Sequence, residues 1–384
     1  MNRILVAGAG PVGLTAALAL ARRGFEVTVV ESGDQLAAES RASTFHPPTL
    51  EMLDELGVCD DLRARGLVSP TFAYRDRRDG LVAMLDLAVL AGDTRFPYRL
   101  QCEQSKLTPI LLDHLLRYEG CEVRFGWHAA DVTTHPSSLT LSSTDGRTVE
   151  GAWLIGADGA HSAVRRATGV TFDGITYPER FLVASVDEDL TAWLDDLAAV
   201  NYVFDPVEWC VLLRTPDHWR VLLPTPPDTT DISEISRLGS RLREVFDPGR
   251  PWRVAHTSMY RVHQRVATSF RTGRVLLAGD AAHVNNPLGG LGMNSGIHDA
   301  VAYAAALATG DDSAVWAAAA DRRRIALEYV QSVSHQNYER LRATDPDARA
   351  AHLNSLRETA ADPALARASL LRSSMIASLR PVPA

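Results

Sequence analysis

Apolar positions near the start of the chain come in two short unbroken runs, residues 3–8 (RILVAG) and 26–31 (EVTVVE). Between them, from Val12 to Arg23, they recur at helical spacing. The pattern predicts a strand, a crossover helix and a parallel strand buried on both faces. Amphipathic helices are predicted at 48–57 and 105–118, with Pro48 and Ser105 at their starts and Gly57 ending the first. Strand-like runs follow at 121–125, 139–142 and 152–156. From about 175 to 265, FLVASV, NYVF, WCVLLR, WRVLLP and RVAHTSMY, separated by Asp, Pro and Gly turns, read as a β meander. After it RVLLAGD forms a last buried strand, then a glycine-rich loop and mostly helix, including the alanine-rich tract 302–320. The order implies an α/β fold: a Rossmann-like nucleotide-binding domain with an inserted β-sheet domain and C-terminal helices. The expected division is 1–70, 100–172 and 266–330 for nucleotide binding, 71–99 and 173–265 for the sheet domain, and 331–384 for a helical segment.

Composition narrows the function classes. The chain has 384 residues, 46% hydrophobic, with a formal charge of −8, which argues against nucleic acid as a partner. No membrane partner is expected, because the longest low-charge stretch, 300–320, is broken by Gly310, Asp311 and Asp312. The N-terminus runs directly into the first strand, so a cytoplasmic location is expected. The four cysteines at 59, 102, 121 and 210 have no metal-like spacing, and neither zinc nor a disulfide framework is expected.

The first candidate site is Gly8-Ala9-Gly10-Pro11-Val12-Gly13, between strand and helix. Gly8 permits the tight turn, Gly10 lets backbone approach a pyrophosphate, and Gly13 lets helix and strand pack closely; the helix N-terminus faces the phosphates. Glu31, at the end of the second strand, is placed to accept from ribose hydroxyls and would repel a 2′-phosphate. This motif alone suits FAD or NAD.

Two later segments separate them. Residues 154–165 (LIGADGAHSAVR) and 274–283 (RVLLAGDAAH), with the following PLGGLGMNSGIHDA from Pro287, resemble the motifs of FAD-dependent monooxygenases of the para-hydroxybenzoate hydroxylase family. The resemblance covers about 1–330. It implies FAD bound by Asp158, by Gly279 and Asp280 along the ribityl chain, and by Gly290, Leu291, Gly292, Met293 and Asn294 around the ring. Arg41 and Gln104 match an arginine and a glutamine near that cofactor. It also implies that NADPH or NADH visits transiently, with Arg22, Arg23, Arg41 and Arg180 as positions that could meet its phosphates. O₂ would add to the reduced flavin as a C4a-hydroperoxide and hydroxylate a small aromatic substrate. Pro287, Gly289 and Gly290 would shape the pocket for that step.

The residues themselves agree in part. Asp280 ends an apolar strand, where an unpaired carboxylate would be costly, and Gly289, Gly290 and Gly292 precede a helix whose N-terminus suits the anionic reduced flavin. His283 at that strand-to-loop junction reads first as a satisfied structural histidine. Tyr202, Phe204, Trp209 and Leu213 form a pool for an aromatic substrate, with about half of such strand positions expected to face solvent. Leu291 and His298 stand where relatives of the family often carry glutamine. The length leaves no room for a thioredoxin-like C-terminal domain, and a monomer or homodimer is expected. Epoxidation, Baeyer–Villiger oxidation and alkene reduction remain alternatives on this fold. A non-catalytic FAD-binding protein is the alternative from another class, and an NAD-dependent dehydrogenase would leave the Asp280 segment unexplained.

Overall fold

The computed structural model describes residues 3–38 and 42–380. Its first layer is a six-stranded sheet in which Trp153–Gly156, Arg3–Ala7, Glu26–Val30 and Cys121–Arg124 lie parallel in that order, with Val275–Leu277 and Arg271–Thr272 beyond the first of them. The two opening runs are almost wholly buried, as unbroken apolar strands in a parallel sheet should be. The intervening helix, Pro11–Ala21, is buried from Gly13 onward and packs against both the sheet and the helix Gly292–Ala308.

A second, eight-stranded sheet carries the meander. Its longest strands are the pair Phe172–Val186 and Val254–Ala267, far longer than the patterns FLVASV and RVAHTSMY suggest. Thr71–Asp76 and Gly80–Asp86 join it at the other edge, Thr71–Asp76 pairing in parallel with Val200–Phe204. The expectation that half of the strand residues face solvent fails here, since every residue of Val200–Phe204 is buried. Val203 packs with Leu238 and Leu242 of the helix Asp231–Arg243 on one face. Tyr202 and Phe204 pack on the other with Tyr338, Leu341 and Leu370 from the C-terminal helices. Burial on both faces comes from a helix inserted within the meander and from the chain's own C-terminal third.

The alanine-rich tract is helical but divided. Gly292–Ala308 ends before Gly310, which takes a positive φ of 70°, and Asp312–Ile325 starts with Asp311 capping through the N–H of Ser313. The predicted helices at 48–57 and 105–118 occupy Pro47–Glu55 and Gln104–Leu115. All four cysteines are free, no cluster among the described residues could hold a metal, and no described helix is long and apolar enough to cross a membrane.

Candidate functional site

A groove of about 530 Å³ runs across the C-terminal ends of the parallel strands, where ligands of open α/β sheets sit. Gly8, Gly10, Pro11, Val12, Glu31, Gln104, Asp158, Asp280 and Met293 all line it, so the three sequence motifs converge on one surface. The glycines there have distinct causes. A Cβ on Gly13 would lie 1.9 Å from the carbonyl oxygen of Gly8, and one on Gly8, whose φ is +103°, 2.4 Å from that of Ala157. These two let helix, turn and the next strand close up. Gly10 would meet nothing within 4 Å; its bare backbone faces open groove at the N-terminus of Pro11–Ala21, which carries no acidic residue in its first turn.

Glu31 is fixed by its own main chain, with Oε2 accepting from the N–H of Ala9 (2.7 Å) and Oε1 from the N–H of Gly33 (2.8 Å). Its carboxylate still borders the groove, where a ribose would meet it. Asp158 accepts from the N–H groups of Ala163 and Val164 (2.7 and 3.1 Å) and from the Ser162 hydroxyl, capping the helix Ala163–Ala167. Arg165 stacks on Phe172 at 3.8 Å and donates to the carbonyls of Ala160 and Ala281, both at 2.8 Å. It thereby ties the segment of Asp158 to that of Asp280.

Contrary to the expectation of a costly buried carboxylate, the Asp280 side chain is exposed into the groove, because it lies in the turn beyond the apolar strand. The buried acid of this region is Asp299, wholly inaccessible, which accepts from the Gly279 N–H (3.0 Å), from Arg322 Nε (2.7 Å) and from His283 Nε2 (2.8 Å). Burial raises its pKa, but His283 and Arg322 outweigh that and leave it below the ordinary value.

The loop after Pro287 is a tight turn, with Gly290 N–H donating to Pro287 O (2.9 Å) and Gly289 and Gly290 at φ of +111° and +68°. Two side chains hold it. His46 Nε2 donates to the Gly289 carbonyl (2.8 Å), and Asn294 donates to the carbonyls of Gly290 and Thr44 while accepting from the His46 N–H. The side chains of Leu291 and Asn294 are fully buried away from the groove wall, as is Gly279, so contacts of Leu291 and Gly279 with a cofactor would be through backbone. Arg41 lies outside the described residues. Arg22 and Arg23 donate to carbonyls of Leu56 and Ala19, and Arg180 pairs with Asp231.

Gly289 also borders a second, smaller cavity on the inner face of the meander sheet. Of the substrate pool it includes Tyr202 and Phe204 but not Trp209 and Leu213; Trp209 packs edge-on to Phe181, 5.5 Å between centroids. The pattern missed Phe72, Tyr74, Arg99, Asn337 and His352, which line it too. Arg99 left no trace in the sequence, since it opens the strand Arg99–Gln101, whose residues RLQ are mostly polar yet fully buried in the structure.

A family model described as "FAD binding domain" matches residues 1–332. The chain belongs to this family. Over 390 residues it is 35% identical to the para-nitrophenol 4-monooxygenase of Pseudomonas sp. (strain WBC-3), covering 97% of this chain and 95% of the relative. It is 38% identical over 312 residues to the 6-hydroxy-3-succinoylpyridine 3-monooxygenase of Pseudomonas putida (strain DSM 28022 / S16), covering 80% and 79%. The crystal structure of p-nitrophenol 4-monooxygenase from Pseudomonas putida DLL-E4 superposes with a TM-score of 0.93 at 34% identity over 99% of this chain and 100% of that one. An aklavinone-11 hydroxylase complexed with FAD and aklavinone superposes at 0.79 with 26% identity, covering 90% and 70%. The chain is a FAD-dependent aromatic monooxygenase.

The residues present fit FAD: an open glycine at a helix N-terminus, a fixed carboxylate at the end of the second strand and an exposed aspartate beyond the last parallel strand share one groove.

Proposed function

We propose that this enzyme uses NAD(P)H and O₂ to hydroxylate a small, single-ring phenol or hydroxypyridine. The observation that carries the reading is the second cavity itself, an aromatic-walled space bordered by Gly289 on the inner face of the meander sheet. The match along nearly the whole chain to a para-nitrophenol 4-monooxygenase supports the same class.

FAD supplies the redox chemistry, drawing two electrons from NAD(P)H and delivering one atom of O₂ to the ring while the other leaves as water. The protein's part is to hold and shield. Gly8, Gly10, Pro11, Val12, Gly13, Glu31, Gln104, Asp158, Gly279, Asp280, Met293 and the outlying Arg41 would bind the dinucleotide. Backbone of Pro287, Gly289, Gly290, Leu291 and Gly292, held by His46 and Asn294, would frame the reacting face. Tyr202 and Phe204 would receive the ring, and water is kept out by the C-terminal helices packed over them. We take the segments 1–70, 100–172 and 266–330 as the dinucleotide-binding domain, 71–99 and 173–265 as the substrate domain, and 331–384 as the cover. We take the enzyme to act in the cytoplasm, where its nicotinamide reductant is made, as a monomer or homodimer.

The test is substrate-stimulated NAD(P)H oxidation across single-ring phenols and hydroxypyridines, with product analysis under ¹⁸O₂. Labelled hydroxylated product is expected; oxidation of NAD(P)H that never yields it with any ring would defeat the reading.

A further inference from the structure

Arg99 is 2% exposed, and no carboxylate among the described residues pairs with it. Its guanidinium lies 4.1 Å from the centre of the Phe72 ring and shares its cavity with Tyr202 and Tyr74, and its Nε has no hydrogen-bond partner. The cavity it lines includes a second arginine, Arg340, and no Asp or Glu. A buried cation without a counter-charge costs several kcal/mol, and two neutral phenols and a π face offset only part of that. Buried Arg322 meets Asp299, and Arg241 meets Glu234 and Glu208; Arg75 and Arg165, which no carboxylate among the described residues pairs with, donate instead to main-chain carbonyls.

The surroundings set the position of the missing charge. Tyr202 stacks with Tyr74 at 5.6 Å, and Gly289 borders the same cavity. Arg99, Tyr202 and the loop held by His46 therefore face one space.

Resting on the single-ring reading above, we propose that Arg99 is the specificity-determining residue: it binds a negatively charged oxygen carried by the aromatic substrate and so fixes which ring position faces the Gly289–Gly290 loop. The anionic oxygen is either the ionised phenol itself or an oxygen of a nitro or carboxylate substituent. An unfilled guanidinium then rejects rings of the same shape that carry no such oxygen, since these leave it desolvated and unpaired.

The test compares the FAD-loaded wild-type protein with Arg99→Met and Arg99→Lys. Binding of 4-nitrophenol, 4-cyanophenol and 4-nitroanisole is followed through flavin absorbance and tyrosine fluorescence, without turnover. In Arg99→Met the dissociation constant for 4-nitrophenol is expected to rise by roughly 30-fold or more, with Arg99→Lys recovering part. If 4-cyanophenol weakens too and 4-nitroanisole does not, the anchored oxygen is the phenolate. If 4-nitroanisole weakens and 4-cyanophenol does not, it is the substituent. Unchanged binding of all three in Arg99→Met overturns the proposal, as does loss of FAD and melting of both variants, which would make the guanidinium structural. A wild-type protein that binds these compounds but hydroxylates no ring refutes the functional reading and leaves the Arg99 comparison standing.

Discussion

Asp299 accepts the backbone N–H of Gly279 at 3.0 Å, and so the long helix Gly292–Ala308 and the turn that presents Asp280 are joined by one fully buried carboxylate. Its other oxygen takes Arg322 of the following helix. Asp299→Asn keeps the shape but leaves Arg322 buried and uncompensated. The expected cost is about 3–5 kcal/mol of stability, read as a lowered Tm and reduced FAD content after purification. A variant with wild-type Tm would show that Arg322 finds another counter-charge. Because the folded pKa of Asp299 lies below its unfolded value, its contribution is present above the ordinary carboxylate pKa and is lost as pH falls through the folded value.

His46 titrates in the same sense for a different reason. Burial, helped by the charge of Arg99, pushes its pKa down from 6.5 to about 3, against the raising effect of its bond to Gly289. The unfolded chain then binds the proton that the folded one refuses, so stability is complete above about pH 6.5 and falls steadily toward pH 3. By pH 5 the loss amounts to about 2 kcal/mol from this group. His46→Gln keeps a donor for the Gly289 carbonyl and removes the titration. Its Tm is therefore expected to depend less on pH between 6.5 and 4 than that of the wild type; parallel Tm profiles would mean that His46 is not held neutral. His298, also lowered to about 3 by burial, contributes a slope that persists in this variant.

Tyr202 and Trp209 were equal members of one pool in the sequence, and the structure separates them. Trp209→Ala removes a core side chain packed on Phe181 and is expected to cost about 3–5 kcal/mol of stability. Tyr202→Phe keeps the packing but removes the hydroxyl that shares the cavity with Arg99 and Gly289; with little change in Tm, it is expected to raise KM for the substrate roughly tenfold. Steady-state kinetics beside melting curves would expose any exchange of these two roles.

The groove was readable because each of its parts has a local rule: Gly8 and Gly13 by the close approach of strand and helix, Glu31 by its place at a strand end. The parallel strands were readable as continuous apolar runs. The second cavity was not, because Arg99, Phe72 and His352 meet only through pairing of Thr71–Asp76 with Val200–Phe204 and through docking of the C-terminal helices, neither of which leaves a period in the sequence. Val200–Phe204 is buried on both faces by that docking together with the helix Asp231–Arg243, and Asp280 is exposed because it lies in the turn beyond its apolar strand, at the groove.

Gly10 and Gly13 offer a sharper separation of fold from cofactor. At Gly13 a methyl group would lie 1.9 Å from the Gly8 carbonyl oxygen, a contact that only backbone movement relieves, so Gly13→Ala is expected to destabilise the FAD-free protein itself by several kcal/mol. At Gly10 the same methyl group has no protein atom within 4 Å and a φ of −73° that alanine accepts. Gly10→Ala is therefore expected to melt like the wild type when both are stripped of FAD. Its methyl group would project to where a pyrophosphate approaches the helix N-terminus, so FAD affinity should fall at least tenfold. Calorimetry of the stripped proteins and titration with FAD would measure the two effects apart. Normal FAD binding by Gly10→Ala would mean that the dinucleotide does not cross the open end of this turn.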